Sequence, residues 1–292
     1  MGWFIHHVNI EAHDVPQSVA FYRDVLGLKQ GEWNYPEGAE LGLGADQLAV
    51  FGTYNRGIHI VHPDAAFQKR HGLLHNPTVG GHFAINVPDA EAVKQRLQTA
   101  GHLVSDAGTY AMAGVRQLYV WDPFYNLVEI NAIVDETGGP GPANGEAHAK
   151  RIEREGWHLH HINIDAHRVA TASQFYASLI GLTEGEWQAP PDCPIADITG
   201  NREALVLFGN DDNRGLHVVR PQPDFAKRNN LDHNPTIGGH FAIQVDNLDA
   251  VAKRLDDAGL IYSDAGCYAM AGLRQLYVYD PSMNLVEING SI

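Results

Sequence analysis

Cysteine is nearly missing from this chain. Cys193 and Cys267 are the only two in 292 residues, and neither stands at a spacing that builds a zinc or redox motif. Long apolar runs are missing too: no stretch approaches the ~20 residues that a membrane span requires. Basic residues are scarce, with 20 Lys and Arg against 35 Asp and Glu, a formal charge of −15. No Lys/Arg run stands out, which argues against nucleic acid and against anionic membrane surfaces. The opening "MGWFIHHVNI" has neither the basic stretch nor the apolar core of a secretory signal, and "MGWFIH" lacks the Ser/Thr of a myristoylation site. These absences together lead us to expect a cytoplasmic protein that binds neither nucleic acid nor membrane.

Two features are abundant. At 44% hydrophobic and 19% charged, the chain can build sizeable cores, and its length suits about two domains. Histidine, the commonest metal ligand, occurs 17 times.

The chain is also written twice. "HHVNIEAH" at 6–13 returns as "HHINIDAH" at 160–167, "NRGIHIV" at 55–61 as "NRGLHVV" at 213–219, and "HNPTVGGHFAI" at 75–85 as "HNPTIGGHFAI" at 233–243. From Ser105 to Asn131, 22 of 27 positions match their counterparts. The offset grows from 154 to 158 between Trp187 and Asn213, so four residues are inserted there. A period this long is a duplicated domain, not a solenoid. The Gly/Pro-rich and then charged stretch "DETGGPGPANGEAHAKRIEREG" (135–156) reads as a linker. The expected division is therefore 1–134, a linker at 135–156, and 157–292.

Within each copy a shorter rhythm repeats. "HHVNIEA" alternates as a strand does. In "DVPQSVAFYRDVLG", Asp14 suits a cap, Pro16 a first turn, and Gly27 a stop, with Val19, Tyr22 and Leu26 on one face. Strand-like segments follow near 28–34, 47–52 and 57–62. "HFAINV" then restarts the pattern, with a helix over "DAEAVKQRLQTAG" and strands near 102–106, 115–121 and 126–132. The fold class expected is α+β, four βαβββ modules arranged as two tandem domains.

Strand alternation also sorts the polar residues. His7 and Asn9 share one face of the first strand; His82, Ala84 and Asn86 share one face of theirs; Glu129 opposes Val128 and Ile130. A carboxylate in such a setting is expensive to bury unpaired. Two histidines and a carboxylate on separate strands match a facial metal site. The candidates are His7, His82 and Glu129 in the first copy, and His161, His240 and Glu287 in the second, with His59 and His217 as fourth candidates. His6 and His160 are expected on the helix side, and His13 and His167 in solvent. Taken singly, each of these histidines is more often a hydrogen-bonded sheet residue. A recent duplication also copies idle residues along with working ones.

Paired βαβββ units, the first-strand His, "GGHFAI", and the closing "DPFYNLVEI" and "DPSMNLVEI" resemble the vicinal oxygen chelate superfamily. That family includes glyoxalase I, methylmalonyl-CoA epimerase, fosfomycin- and bleomycin-resistance proteins and extradiol dioxygenases. The resemblance covers nearly all of both copies outside the linker. It implies two glyoxalase-like domains, each a curved mixed-sheet cup, and ligation of a divalent metal by His7, His82 and Glu129 and by His161, His240 and Glu287. Fe(II) is favoured, with Mn(II), Zn(II), Ni(II) or Co(II) as alternatives. The implied partner is a small molecule with two adjacent oxygens; a homo-oligomer is compatible with this.

In the epimerase and glyoxalase branches the strand of His59 and His217 supplies a fourth ligand, whereas in the dioxygenase branch a nearby histidine is an acid–base group. Tyr119 and Tyr277 stand where extradiol dioxygenases keep a substrate-binding tyrosine. Nine residues earlier the same branch has histidine, and this chain has Tyr110 and Tyr268. The resemblance therefore implies an extradiol-type ring-cleaving dioxygenase acting on a catechol-like molecule, with the second domain ranked ahead. The alternative is a glyoxalase-, epimerase- or lyase-like Lewis-acid enzyme that stabilises an enolate. A drug-binding resistance protein fits less well, because such members lack the ligand set. Gly often follows the family's Asp-Pro turn; Tyr125 and Met283 hold that place here, which leaves the turn type open. Arg56, Arg214, Arg116 and Arg274 are expected as ion pairs rather than anion binders, and His75 and His233 as turn caps or residues of a pocket mouth.

Overall fold

The computed structural model describes residues 3–33, 43–44, 46–53, 55–109, 112, 114–134, 157–191, 193–209 and 213–292. The linker expected at 135–156 and the candidate Tyr110 lie outside the described residues.

The first half opens with β1 (Phe4–Glu11), α1 (Val15–Ala20), β2 (Leu48–Phe51) and β3 (Gly57–Val61). It continues with α2 (Phe67–Arg70), β4 (His82–Asn86), α3 (Ala90–Thr99), β5 (Ser105–Gly108), β6 (Val115–Trp121) and β7 (Leu127–Ile133). The second half repeats this as β8 (Trp157–Asp165), α4 (Val169–Gln174), α5 (Ala196–Thr199), β9 (Leu205–Gly209), β10 (Gly215–Val219) and α6 (Phe225–Arg228). It ends with β11 (His240–Val245), α7 (Leu248–Asp257), β12 (Tyr262–Gly266), β13 (Leu273–Tyr279) and β14 (Leu285–Ser291). Each half folds into one seven-stranded mixed sheet, ordered β2-β3-β1-β4-β7-β6-β5 and β9-β10-β8-β11-β14-β13-β12. Two modules meet at the antiparallel pair β1–β4, while β1–β3 and β4–β7 run parallel. The architecture is thus α+β, with two tandem cups.

Two elements differ from the sequence expectation. The strand expected over 28–34 is reduced to a single bridge between Gln30 and Phe51, mirrored by Glu184 and Phe208. Its sequence, "LKQGEWN", lacks the alternating apolar face that holds a strand on a sheet. The first helix begins as expected, with Asp14 accepting from Gln17 N at 2.9 Å. After Ala20 it widens into a π turn over Phe21–Val25, where Leu26 N reaches Phe21 O at 3.0 Å. The second half repeats the widening over Phe175–Ile180.

Alternation decides which face is which. Val8, Ile10, Phe83, Ile85, Val128 and Ile130 join the helix residues Val15, Tyr22, Leu26, Val93 and Leu97 in the core. That core is continuous with Ile162, Phe241, Ile288 and their neighbours in the second half, so the two sheets share it on their helix sides. The opposite, polar faces form the two cups. No helix among the described residues is long and apolar enough to cross a membrane.

Candidate metal centre

The cup is built around a small residue. Ala84 on β4 is in register with His7 on β1 and with Glu129 on β7. His82, two residues earlier on β4, shares that face. With only a methyl group at Ala84, which is fully buried, the flanking side chains close over it. His7 Nε2 reaches Glu129 Oε2 at 3.4 Å, His82 Nε2 reaches the same oxygen at 2.9 Å, and the two Nε2 atoms are 3.2 Å apart. The second cup repeats this around Ala242, with 3.5, 3.0 and 3.2 Å among His161, His240 and Glu287. In each cup the three ligand atoms lie within 4.8 Å of one another.

The donor set fits a divalent cation. His82 Nδ1 lies 2.9 Å from Pro77 O, and His240 Nδ1 3.0 Å from Pro235 O. A carbonyl only accepts, so each Nδ1 carries a proton; once Nε2 gives up its own, its lone pair is aimed beside a carboxylate oxygen, a pairing that a bound cation satisfies. Adjacent ligands of an octahedral ion with bonds near 2.1 Å stand about 3 Å apart, close to the separations found here.

Charge states agree with this reading. Burial favours a neutral Glu129 carboxyl, yet the His7 and His82 imidazoles outweigh it and hold the group well below the usual carboxylate range. Burial likewise lowers His7 despite the opposing Glu129. Glu287 and His161 behave the same way. The carboxylates are thus held in the ionised form that binds metal, and burial favours the neutral, metal-binding form of His7 and His161.

His59 and His217 stand beside the triads and outside the ligand groups. His59 stacks face to face on His7, with ring centroids 3.9 Å apart and Trp33 against it at 4.5 Å. Its Nε2 is 2.8 Å from Asn55 O. Asn55 is left-handed (φ 56°), a conformation Asn tolerates better than most residues. His217 repeats this with His161, Trp187 and Asn213 O.

Tyr119 is cross-strand from Glu129 and packs edge-on to His82, with centroids 5.8 Å apart. Tyr277 does the same beside Glu287 and His240. Burial and then the Glu287 charge push the Tyr277 phenol well above its usual range, so it keeps its proton. Tyr268 OH is 2.9 Å from Tyr277 OH, which brings that residue into the second cup.

Three groups of site residues escaped the sequence reading. Gln117 Nε2 donates to Glu129 Oε1 at 3.0 Å, and Gln275 Nε2 to Glu287 Oε1 at 2.8 Å, fixing the carboxylates. The signal was present, since Gln117 has the same strand parity as Tyr119. Asn9 Nδ2 donates to Pro77 O at 2.8 Å and so anchors the loop that orients His82. Trp33 and Trp187 pack against His59 and His217 and wall the cups; each ends a "GEW" found in both copies, at 31–33 and 185–187.

His6 and His160 are corrected outright. They were expected on the helix side, but the β1–β4 register shifts between Ile5 and His7, and the β8–β11 register shifts at the equivalent place. The extra residue of each bulge is the histidine itself, and it turns toward the cup: His6 Nδ1 lies 3.0 Å from His7 Nδ1, and His160 Nδ1 lies 2.9 Å from His161 Nδ1.

Other candidates fall elsewhere. Arg116 pairs with Glu91 and Asp106, and Arg274 with Asp249 and Asp264. Arg56 lies 3.8 Å over the Phe4 ring, and burial lowers its guanidinium to about 10. His75 and His233 bond Ser105 Oγ and Ser263 Oγ, each at 2.7 Å, and so tie a loop to β5 and β12. His13 is exposed beside Glu11.

The first cup opens to solvent and is lined by His7, His59, His82, Tyr119 and Glu129 with Trp33, Phe67 and Met112. Over the second cup the inserted segment folds into α5, and its Ile195 and Ile198 pack with Phe225, Met270 and Tyr268. Trp187 Nε1 donates to Ala269 O at 2.9 Å, and Gln188 and Asn213 exchange two hydrogen bonds.

A family model described as Glyoxalase/Bleomycin resistance protein/Dioxygenase superfamily matches residues 4–130. No curated protein sequence matches the chain. Among solved structures, the Mn(II)-bound glyoxalase from Novosphingobium aromaticivorans is similar at TM-score 0.59 and 15% identity, over 98% of this chain and 81% of that one. The 2,3-dioxygenase LapB from Pseudomonas sp. KL28 is similar at TM-score 0.61 and 14% identity, over 99% and 92%. Homoprotocatechuate 2,3-dioxygenase from Brevibacterium fuscum, as its E323L mutant, gives TM-score 0.61 and 14% identity, over 98% and 70%. The family model spans the first half of the chain, the second half is its internal repeat, and both cups carry the same fold as these solved structures.

Proposed function

We propose that each cup holds a divalent cation on its two imidazoles and its carboxylate, and that the protein is an extradiol-type dioxygenase opening the ring of a catechol-like small molecule. One observation carries this reading. The ligand set is a three-residue face, with His59 and His217 committed to stacking and to a backbone carbonyl. Such a face leaves positions for two adjacent substrate oxygens and for dioxygen. Fe(II) held at this face would supply Lewis acidity toward the substrate oxygens and relay electrons from the catechol, which is oxidised, to dioxygen. The protein's own groups then bind and orient. Tyr277 offers its retained phenolic proton to a substrate oxygen, and Tyr119 has the matching place in the first cup. His59 and His217 flank the ligand histidines and are the groups proposed to move the substrate's hydroxyl proton. Gln117 and Gln275 hold the carboxylates in place. The inserted segment adds the apolar side chains of Ile195 and Ile198 beside Tyr268 in the second cup.

A second reading has an observation of its own. Tyr268, hydrogen-bonded to Tyr277, stands where the dioxygenase pattern has histidine. That departure weakens the ring-opening reading and leaves a glyoxalase-, epimerase- or lyase-like reaction as the alternative. The test is anaerobic loading with Fe(II), followed by oxygen uptake on a panel of catechols. Ring cleavage consumes one dioxygen per catechol. Protein shown to hold Fe(II) that takes up no oxygen across the panel overturns the dioxygenase reading.

A further inference from the structure

We infer that His6 and His160 are positioning residues. Each is the extra residue of a β-bulge and accepts the Nδ1 proton of the ligand histidine that follows it, aiming that ligand's Nε2 at the cation. The inference rests on the metal reading of the cups. Consecutive residues on a regular strand point to opposite faces. His6 and His7 would then never meet. The bulge sets two residues of β1 against one of β4, between Ile5↔Ile85 and His7↔Ala84. It does the same in β8, between Leu159↔Ile243 and His161↔Ala242. Both rings thereby reach the polar face, edge to face at 5.2 Å, with Nδ1 atoms 3.0 and 2.9 Å apart.

The tautomers follow from position. When His161 Nε2 ligates the cation that Glu287 Oε2 and His240 Nε2 also face, its lone pair goes to the metal and Nδ1 carries the proton. His160 Nδ1 is then the acceptor, and its own proton sits on Nε2. The two ligands of one cup are thus oriented differently. His240 leans on a carbonyl, Pro235 O, the partner a metal histidine commonly has, whereas His161 leans on another imidazole, and only because the strand bulges. Duplication preserved the bulge and the histidine together.

The test is metal affinity, read without turnover. Asn places its Oδ1 close to where His carries Nδ1; Phe keeps the ring and loses the acceptor. Mn(II) titrations followed by electron paramagnetic resonance compare wild type, H6F/H160F and H6N/H160N, with the Co(II) absorption spectrum as a check on ligand geometry. The Phe pair is expected to bind about 10- to 100-fold more weakly with an altered Co(II) spectrum, and the Asn pair to recover most of the loss. The single variants H6F and H160F are expected to shift one site of the two. Wild-type affinity in the Phe pair overturns the inference, as does an Asn pair no better than Phe, which would make these rings mere packing. Wild-type protein that takes no Mn(II) overturns the metal reading itself, a result distinct from both.

Discussion

Ala84 and Ala242 show how much a site owes to its smallest member. Each is the register partner of a histidine ligand on one side and of the carboxylate ligand on the other. Leucine at Ala242 would put its branch where His161, His240 and Glu287 converge. The expected result of Ala242→Leu is a folded protein holding one metal per chain instead of two, read by elemental analysis after reconstitution; two metals per chain would mean that the ligands do not close over Ala242. His59 and His217 invite the opposite experiment. His217→Ala and His59→Ala together are expected to leave metal content unchanged and lower turnover by about 10²–10⁴-fold. Loss of metal instead would make these rings ligands and favour the Lewis-acid reading. The triads were legible in the sequence because alternation alone puts His7, His82 and Glu129 on polar faces. His6 was not legible, because a bulge is a two-against-one count that depends on the partner strand. Gln117 and Gln275 were legible in principle, two residues before the tyrosines on the strand beside the carboxylate.

Among the elements, the Asp-Pro turn shows why a family habit can be broken. Met283 N bonds Asp280 O at 3.0 Å, and Asp280 N bonds Asn284 O at 2.9 Å. The Asp280 carboxylate accepts from Ser282 N and Asn284 N, both at 2.8 Å. This tight turn ends in a left-handed residue, the place where hairpins usually put glycine, and Met283 and Tyr125 occupy it at φ 66° and 65°. Both side chains are exposed, so nothing but the backbone suffers. Left-handed geometry costs a non-glycine residue roughly 1–2 kcal/mol, partly offset by the ~0.5–1 kcal/mol of chain entropy that glycine loses on folding. Met283→Gly and Tyr125→Gly are each expected to stabilise by up to about 1 kcal/mol, seen as a raised denaturation midpoint with an unchanged slope. A lowered midpoint would show that Asp280 already relieves the strain. The sequence left the turn type open because it names the unusual residue without its dihedral angle. The two longer helices of each half, β3 and the closing hairpins were legible from period and caps, whereas the four-residue helices α2, α5 and α6 were not. The strand over 28–34 was overread, since short polar stretches carry little periodic signal, and the π turns left no mark that a helix does not also leave.

In the whole molecule, those π turns are where the two halves hold each other. Tyr22 donates to Asp280 Oδ2 at 2.9 Å, and Tyr176 donates to Asp122 Oδ2 at 2.9 Å. Arg254 donates to Val25 O and Leu26 O at 2.7 and 2.9 Å, and Arg96 to Leu179 O and Ile180 O at 2.8 and 3.3 Å, so each half closes the other's helix end. Asp280 also opens the hairpin whose second strand carries Glu287, so a tyrosine of the first half steadies the carboxylate strand of the second, and the reverse. The pH dependence of this link has a definite sign. Burial raises the Asp280 and Asp122 carboxyls above their usual range although hydrogen bonds, those from the tyrosines included, oppose it. The folded protein therefore holds these protons more tightly than the unfolded chain does, and the two acids cost stability above the raised values, a cost relieved as pH falls through them. Removing the tyrosine hydroxyls raises the carboxyls further. Tyr22→Phe with Tyr176→Phe is expected to lose about 1–3 kcal/mol per hydroxyl at pH 7, and the deficit narrows as pH falls and the carboxyls protonate. Urea denaturation across that range checks it: a deficit that does not change with pH would mean the hydroxyls do not stabilise the charged carboxylates, and no deficit at all would mean that the two tyrosine bonds add nothing to the shared core and the arginine bonds.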